Sequence, residues 1–136
     1  MSHMMTCKTN MSDKNTIVSA LVELGIPQEA IVVSNTALQL QGYGSQKADV
    51  EILVKRDLYK GYGDVGFSKT PDGTYSCVVD DMDDSGALAR YVGADNFSNS
   101  VNQWYSALTA KRALRKQGLI AKIEKQDKKL VVLARN

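Results

Sequence analysis

Apolar residues recur along the chain with two different periods, and the switch between them lays out the elements. Met4 to Thr9 reads as a short first strand. Ser12 or Asp13 then offers an N-cap for a helix reaching about Leu24. Ile17, Ala20, Leu21 and Leu24 repeat at i, i+3, i+4, i+7, while Lys14 and Glu23 lie off that face. Gly25 suits the left-handed position past the helix end, and Pro27 prevents continuation. From Ala30 onward the period shortens into β-rich runs: Ile31 to Val33, Thr36 to Leu40, Asp49 to Lys55, Asp64 to Lys69 and Thr74 to Asp80. Within Asp49 to Lys55, charged Asp49, Glu51 and Lys55 alternate with Val50, Ile52 and Val54. Leu53 breaks that alternation, which predicts a half-covered strand. Pro71, Asp72 and Gly73 form a hairpin signal, since Pro presets φ at one turn position and Gly accepts positive φ at another.

Asp81 to Ala94 is acidic and weakly patterned, and is expected to be a loop with one short helical turn. Asp95 or Asn96 caps a long helix over Phe97 to Gln117, with Phe97, Val101, Trp104, Tyr105 and Leu108 as its apolar stripe and Gly118 as its stop. Leu119 to Glu124 and Lys129 to Ala134, joined by Gln126, Asp127 and Lys128, read as a closing hairpin. This order is α+β: a largely antiparallel sheet of about five to seven strands with two main helices packed on one face. No repeat or linker-like stretch divides it, so residues 1–136 are expected to form a single domain. The opposite sheet face needs cover, either from polar side chains at alternate positions or from a second subunit, most simply in an isologous dimer.

Composition narrows this picture. With 43% hydrophobic and 24% charged residues the chain lies outside the disordered regime. A domain of this size buries roughly two-thirds of the surface its unfolded chain exposes. The 17 Lys plus Arg against 15 Asp plus Glu leave a net charge of +2, too little for the whole surface to seek nucleic acid, so any electrostatic preference is local. No apolar run reaches the roughly 18 residues of a membrane span, and Thr6, Lys8, Thr9 and Asn10 interrupt any signal-like stretch, so the expected location is the cytoplasm. Cys7 and Cys77 both fall in strand-like runs far from CxxC spacing and read as buried thiols.

Catalytic chemistry finds few parts. His3 is the lone histidine and sits near a terminus, which leaves nucleophilic triads and most zinc sites without a base or ligand. Asp80, Asp81, Asp83 and Asp84 crowd carboxylates of the kind hard cations prefer. Read as a calcium loop from Asp81, however, they set Gly86 correctly but put Val92 where the closing Glu belongs, so a solvated acidic loop is expected and no metal site. Gln41-Gly42-Tyr43-Gly44-Ser45-Gln46-Lys47 and Tyr59-Lys60-Gly61-Tyr62-Gly63 are more informative. Glycines let the backbone approach a ligand and expose its N–H groups, tyrosines offer a flat face with a hydroxyl, and lysines bring positive charge. Neither segment is a P-loop or a GxGxxG, and both are also ordinary turn chemistry. Lys111, Arg112, Arg115 and Lys116 crowd the end of the long helix, where they oppose its dipole or contact phosphate.

Beyond these signals, Met1-Ser2-His3, the helix end from Leu21 to Gly25, Gln41-Gly42-Tyr43 with Lys47-Ala48-Asp49, and Gly61-Tyr62-Gly63-Asp64-Val65-Gly66-Phe67 resemble the hypothetical chloroplast reading frame thirty-five family. The likeness continues through Asp72-Gly73-Thr74-Tyr75, Phe97 to Asn102-Gln103 and Tyr105, and Lys116-Gln117-Gly118, so it covers nearly the whole chain in order. Members occur in plastids, cyanobacteria and bacteriophages, and the family is known as a domain of unknown function. The resemblance therefore implies fold and location and hands over no catalytic residue. The chain departs from it at Gln41, where an arginine usually precedes Gly-Tyr, at Asp81 and Met82, which replace an aromatic segment, and at Ser85 to Asn96, which look inserted. In size and lack of catalytic groups the chain is also similar to the nucleotide sponges of phages, which capture an immune cyclic dinucleotide without cutting it.

Together these readings set one expectation: a non-catalytic homo-oligomer, dimer or tetramer, without cofactor, that sequesters a small anionic nucleotide. Tyr43, Tyr62 and Trp104 are the stacking candidates. Lys47, Lys69, Arg112 and Arg115 are the phosphate candidates, and Gly42 and Gly44 permit close backbone approach. All of them are expected to line one concave cavity. The rivals are a protein-interaction or accessory subunit using the uncovered sheet face, a single-stranded nucleic-acid binder, and a metal enzyme using the acidic loop.

Overall fold

A computed structural model describes residues 2–136, so of the resembling Met1-Ser2-His3 only Met1 lies outside it. β1 (Met4–Lys8) is followed by α1 (Lys14–Glu23), capped by Asp13, whose side chain accepts from the Asn15 N–H at 3.3 Å and the Thr16 hydroxyl at 2.5 Å. The buried Ile17, Ala20 and Leu21 are the face that the spacing picked out. At its end Gly25 adopts φ +104°, and the Gly25 and Ile26 N–H groups return to the carbonyls of Val22 and Leu21.

The two runs expected at Ile31 to Val33 and Thr36 to Leu40 are one strand, β2 (Ile31–Gln41), which pairs with β3 (Lys47–Val54) across an irregularity. Ser34, Asn35, Thr36 and Ala37 sit opposite Glu51 alone. Lys14 fills this bulge, its Nζ reaching Glu51 at 2.7 Å and donating to the Ser34 carbonyl at 2.9 Å. A bulge bends and twists a strand pair. Here the far end of the hairpin comes back to the start of β4 (Val65–Lys69), where Gln41 and Asp64 exchange hydrogen bonds: Asp64 N–H to the Gln41 carbonyl at 2.8 Å, and Gln41 N–H to the Asp64 carboxylate at 3.0 Å. β5 (Tyr75–Asp80) completes the sheet, whose order is β1-β5-β4-β3-β2 with antiparallel neighbours throughout.

One face of this sheet presents Ile52, Val54, Val65, Phe67, Tyr75, Cys77 and Val79 to α1, to α3 (Ala87–Val92) and to α4 (Phe97–Lys116), where Leu88, Phe97 and Val101 join the main core. Leu53 and Val78, between those residues in sequence, point the other way. They meet Leu40 and Val50 in a second, smaller core, flanked by Met4, Leu38 and Ala48. The face for which polar residues or a partner were expected is thus partly covered by the chain's own bent β2–β3 hairpin. Neither expected form of cover supplies this apolar contact.

One further expectation is revised. The acidic stretch holds two short helices, α2 (Asp81–Asp84) and α3, because the Asp80 side chain caps the first and Gly93 ends the second at φ +70°. The closing hairpin, β6 (Ile120–Gln126) and β7 (Lys129–Arg135), forms its own two-stranded sheet and leaves the main sheet with five strands. Gly118 at φ +84° turns the chain back directly after α4, so the hairpin packs along that helix and buries Ala121 against it. Cys77 is buried as expected, but Cys7, its partner in register on β1, is only half-buried. No helix is long and apolar enough to cross a membrane.

Candidate functional site: a tyrosine clasp

The two glycine–tyrosine segments, distant in sequence, meet at one end of the sheet. The Gln41–Lys47 turn closes with the Gly42 N–H on the Gln46 carbonyl at 2.7 Å and passes through Gly44 at φ +66°. Gly63 lies so close to it that a Cβ there would stand 3.0 Å from the Gly42 Cα. Arg56 ties the segments from outside, donating to the Tyr62 carbonyl at 2.6 Å and to the Gly42 carbonyl at 3.4 Å. The Tyr43 and Tyr62 rings, each 48% exposed, pack edge to face with centroids 5.7 Å apart and an interplanar angle of 84°.

Beneath the rings, where the sequence predicts a solvated acidic loop, lies a framework of carboxylates. Asp80, Asp83 and Asp84 are buried. Asp83 accepts from the Tyr62 N–H and the Gly63 N–H, at 3.0 Å each. Asp84 accepts from the Ser98 N–H at 2.8 Å and from the Asn96 amide at 2.9 Å, and so fixes the start of α4. The more exposed Asp81 accepts from the His3 N–H at 2.8 Å, which together with the Asn15–Thr16 pattern of Asp13 shows short acidic residues serving as backbone anchors. Burial pushes the Asp83 carboxyl above its ordinary value, reinforced by neighbouring Asp80 and opposed by the two N–H groups. Burial first, and then the fields of Asp83 and Asp64, raises the Tyr59 phenol, whose hydroxyl donates to the Gly63 carbonyl at 2.6 Å. Among the described residues no group of three or more His, Cys, Asp or Glu is arranged to hold a metal ion.

The same bonds occupy three of the glycine N–H groups. The N–H groups of Gly42, Gly61 and Gly63 are engaged by the Gln46 carbonyl, the Arg56 carbonyl and Asp83, so they face the protein rather than a ligand. Close packing explains these glycines instead. A Cβ on Gly61 would stand 2.5 Å from the Tyr59 ring and 2.7 Å from the Asp83 carboxylate. What remains open is a cleft of about 430 Å³ beside the clasp, formed by Lys60, Gly61 and Tyr62 on one side and Met82, Gly86, Ala87 and Arg90 on the other. Lys60 and Arg90 are exposed and join none of the ion pairs among the described residues. An aromatic ring, a polarizable thioether and two unpaired cations are the groups that hold a flat anion. Arg90 carried no sequence signal and Met82 stood out only as a departure from the family pattern, since the α2–α3 turn is what brings them to Tyr62.

The single cavity expected from the sequence is not formed within one chain. Gly42, Tyr43, Gly44 and Tyr62 come together, with exposed Lys47 next to the turn. Lys69 lies at the opposite end of β4, next to the Pro71 turn. Arg112 is bound to α1, donating to the Thr16 hydroxyl at 3.0 Å and pairing with Asp13 at 3.4 Å. That contact adjoins the start of β5, where the Tyr75 N–H meets the Met11 carbonyl, whereas Asp83 follows its end. Six residues of strand separate the two, about 20 Å. Arg115 is exposed in the last turn of α4, and Trp104 packs between the main core and the β6–β7 hairpin. Helix packing separates these side chains because the apolar stripe of α4 faces the sheet, not its end.

The model of a family described as a protein of unknown function, DUF1257, matches residues 20–131. No curated protein and no solved structure gives a match.

Proposed function

We propose, for a chain that belongs to the DUF1257 family of proteins of unknown function, a non-catalytic role: capture of a small anionic aromatic ligand, a nucleotide, in the cleft beside the tyrosine clasp. One observation carries this reading, the convergence of Tyr62 with two unpaired cations, Lys60 and Arg90, on one open cleft of ligand size. The base rests on Tyr62 and Met82, and the phosphate is held by Arg90 and Lys60. Sequestration of a cyclic dinucleotide, the role implied by the similarity to phage sponges, is its sharpest form. It works best where a second copy closes the cleft, because slow release requires burial of the ligand. The test is a thermal shift with cyclic dinucleotides and mononucleotides, followed by heat denaturation and recovery of the ligand unchanged. Tyr62→Ala and Arg90→Ala each abolish the shift given by cyclic dinucleotides. A chain that no nucleotide stabilises rules the proposal out.

A second reading, an accessory subunit that binds another protein, is favoured by one feature of the surface. The edge strand β2 carries no charged residue and exposes Val32 and Val33 at 44% and 46%, without the lysines or prolines that usually guard such an edge. It predicts a partner in pull-down that Val33→Lys releases, and no small-molecule shift.

A further inference from the structure

The molecule holds a second cleft, away from the tyrosine clasp and built from different chemistry. It is about 440 Å³ in volume and lies between the first half of α4 and the turn of the β6–β7 hairpin. Its inner wall is the half-buried Trp104, which packs against the main core and is therefore held in one orientation, with Leu24 and Leu130 extending the apolar surface. Above Trp104 on the same helix, Asn99 and Gln103 stand one turn apart and exposed, and a primary amide both donates and accepts. The opposite wall brings Lys125, Lys128 and Lys129. Among the described residues Lys128 is paired with Asp95 at 3.4 Å across the mouth, Lys125 and Lys129 join no ion pair, and the Asp127 carboxylate on the turn between them leaves the wall with a positive excess.

The hairpin turn is held in an unusual form. Asp127 and Lys128 both have positive φ, +49° and +67°, without a glycine between them. Two-residue turns of this kind match the twist of the strands they join, although positive φ is unfavourable for residues that carry a Cβ. Here the turn directs Lys128 to Asp95, so the hairpin tip is fastened over the cleft by an exposed ion pair of the sort that salt weakens.

From this arrangement we infer that the Trp104 cleft is a binding site for a heteroaromatic anion of mononucleotide size, independent of the tyrosine clasp. The indole stacks on the ring, Asn99 and Gln103 read a ring edge that carries both donors and acceptors, and Lys125 and Lys129 hold the acidic group. An ion alone satisfies only the lysines, and an uncharged ring satisfies only the indole and amides.

Trp104 is the one tryptophan of the chain, so its emission reports on this cleft directly. Titration with adenosine monophosphate is expected to quench it to saturation, and the double variant Lys125→Ala/Lys129→Ala to weaken binding at least about tenfold. Gln103→Leu weakens it as well, while Tyr62→Ala, in the other site, leaves it unchanged. Both lysines are on the surface, so the double variant keeps the wild-type melting temperature. Adenosine and inorganic phosphate serve as separate arms. The inference is overturned if the nucleotide gives no saturable quench at millimolar concentration, if adenosine or phosphate alone binds as tightly, or if the lysine variant binds like the wild type.

Discussion

Replacing Asp83 tests whether the tyrosine clasp is assembled from below by a buried carboxylate. Its side chain accepts from the Tyr62 N–H through both oxygens and from the Gly63 N–H through one, all at 3.0 Å, with no measurable exposure of the residue. Asp83→Ala leaves both N–H groups without this acceptor, at about 1–3 kcal/mol for a buried group. Water reaches the more exposed Tyr62 side, so the expected loss is about 3 kcal/mol in total, and the urea midpoint falls by about 1.5 M. Asp83→Asn retains one oxygen and discards a charge that burial already disfavours, so its loss is smaller, about 1 kcal/mol. The folded-state pKa of Asp83 lies above the unfolded value of 3.8. The stabilisation this group adds is therefore complete below about pH 4 and is lost as pH rises through the folded value. Wild type consequently gains on Asp83→Asn as pH is lowered through that window. Urea unfolding followed by Trp104 emission, at several pH values, measures all three quantities. If Asp83→Ala unfolds at the wild-type midpoint, the carboxylate is not what holds the two segments together.

Gly66→Ala is expected to cost about 3 kcal/mol or to abolish folding, because its Cβ would stand 2.6 Å from the Ile52 carbonyl and 2.9 Å from the Val50 methyls in the second core; circular dichroism and a denaturant midpoint decide this. The Asp13 carboxyl is held below its ordinary value by the Thr16 hydroxyl first, then by the Asn15 N–H and Arg112. Its stabilisation is thus present above about pH 4 and lost as pH falls through the folded value, and Asp13→Asn should flatten the acid limb of a pH–stability curve. Burial pushes the Cys77 thiol far up and the Cys7 thiol up to a lesser degree, so a thiol reagent at neutral pH should label Cys7 slowly, Cys77 more slowly still, and both at once in denaturant.

The elements with strong local signals were legible from the residues. The Asp13 cap, the stripe of Ile17, Ala20 and Leu21, the Gly25 stop, the Asn96 cap and the Pro71 turn all act through groups a few residues apart, where spacing alone dictates contact. The break in alternation at Leu53 was visible too, and it marks the strand that feeds both cores. Short helices in the acidic stretch were missed because their stability comes from Asp80, Asp83 and Asp84 bonding to distant backbone, a role indistinguishable in sequence from solvated charge.

What the sequence determined by itself was local: element types, caps, turns and the α+β order. Tertiary structure decided which of the singled-out side chains share a surface. It joined Tyr43 to Tyr62, brought Arg90 and Met82 beside them, tied Arg112 to α1, and gave Trp104 a cleft of its own. The physical reason is that periodicity specifies a residue's direction from its own strand or helix, whereas proximity depends on how a bulge bends one hairpin and where a glycine turns another. Those angles are set by packing between segments remote in the chain.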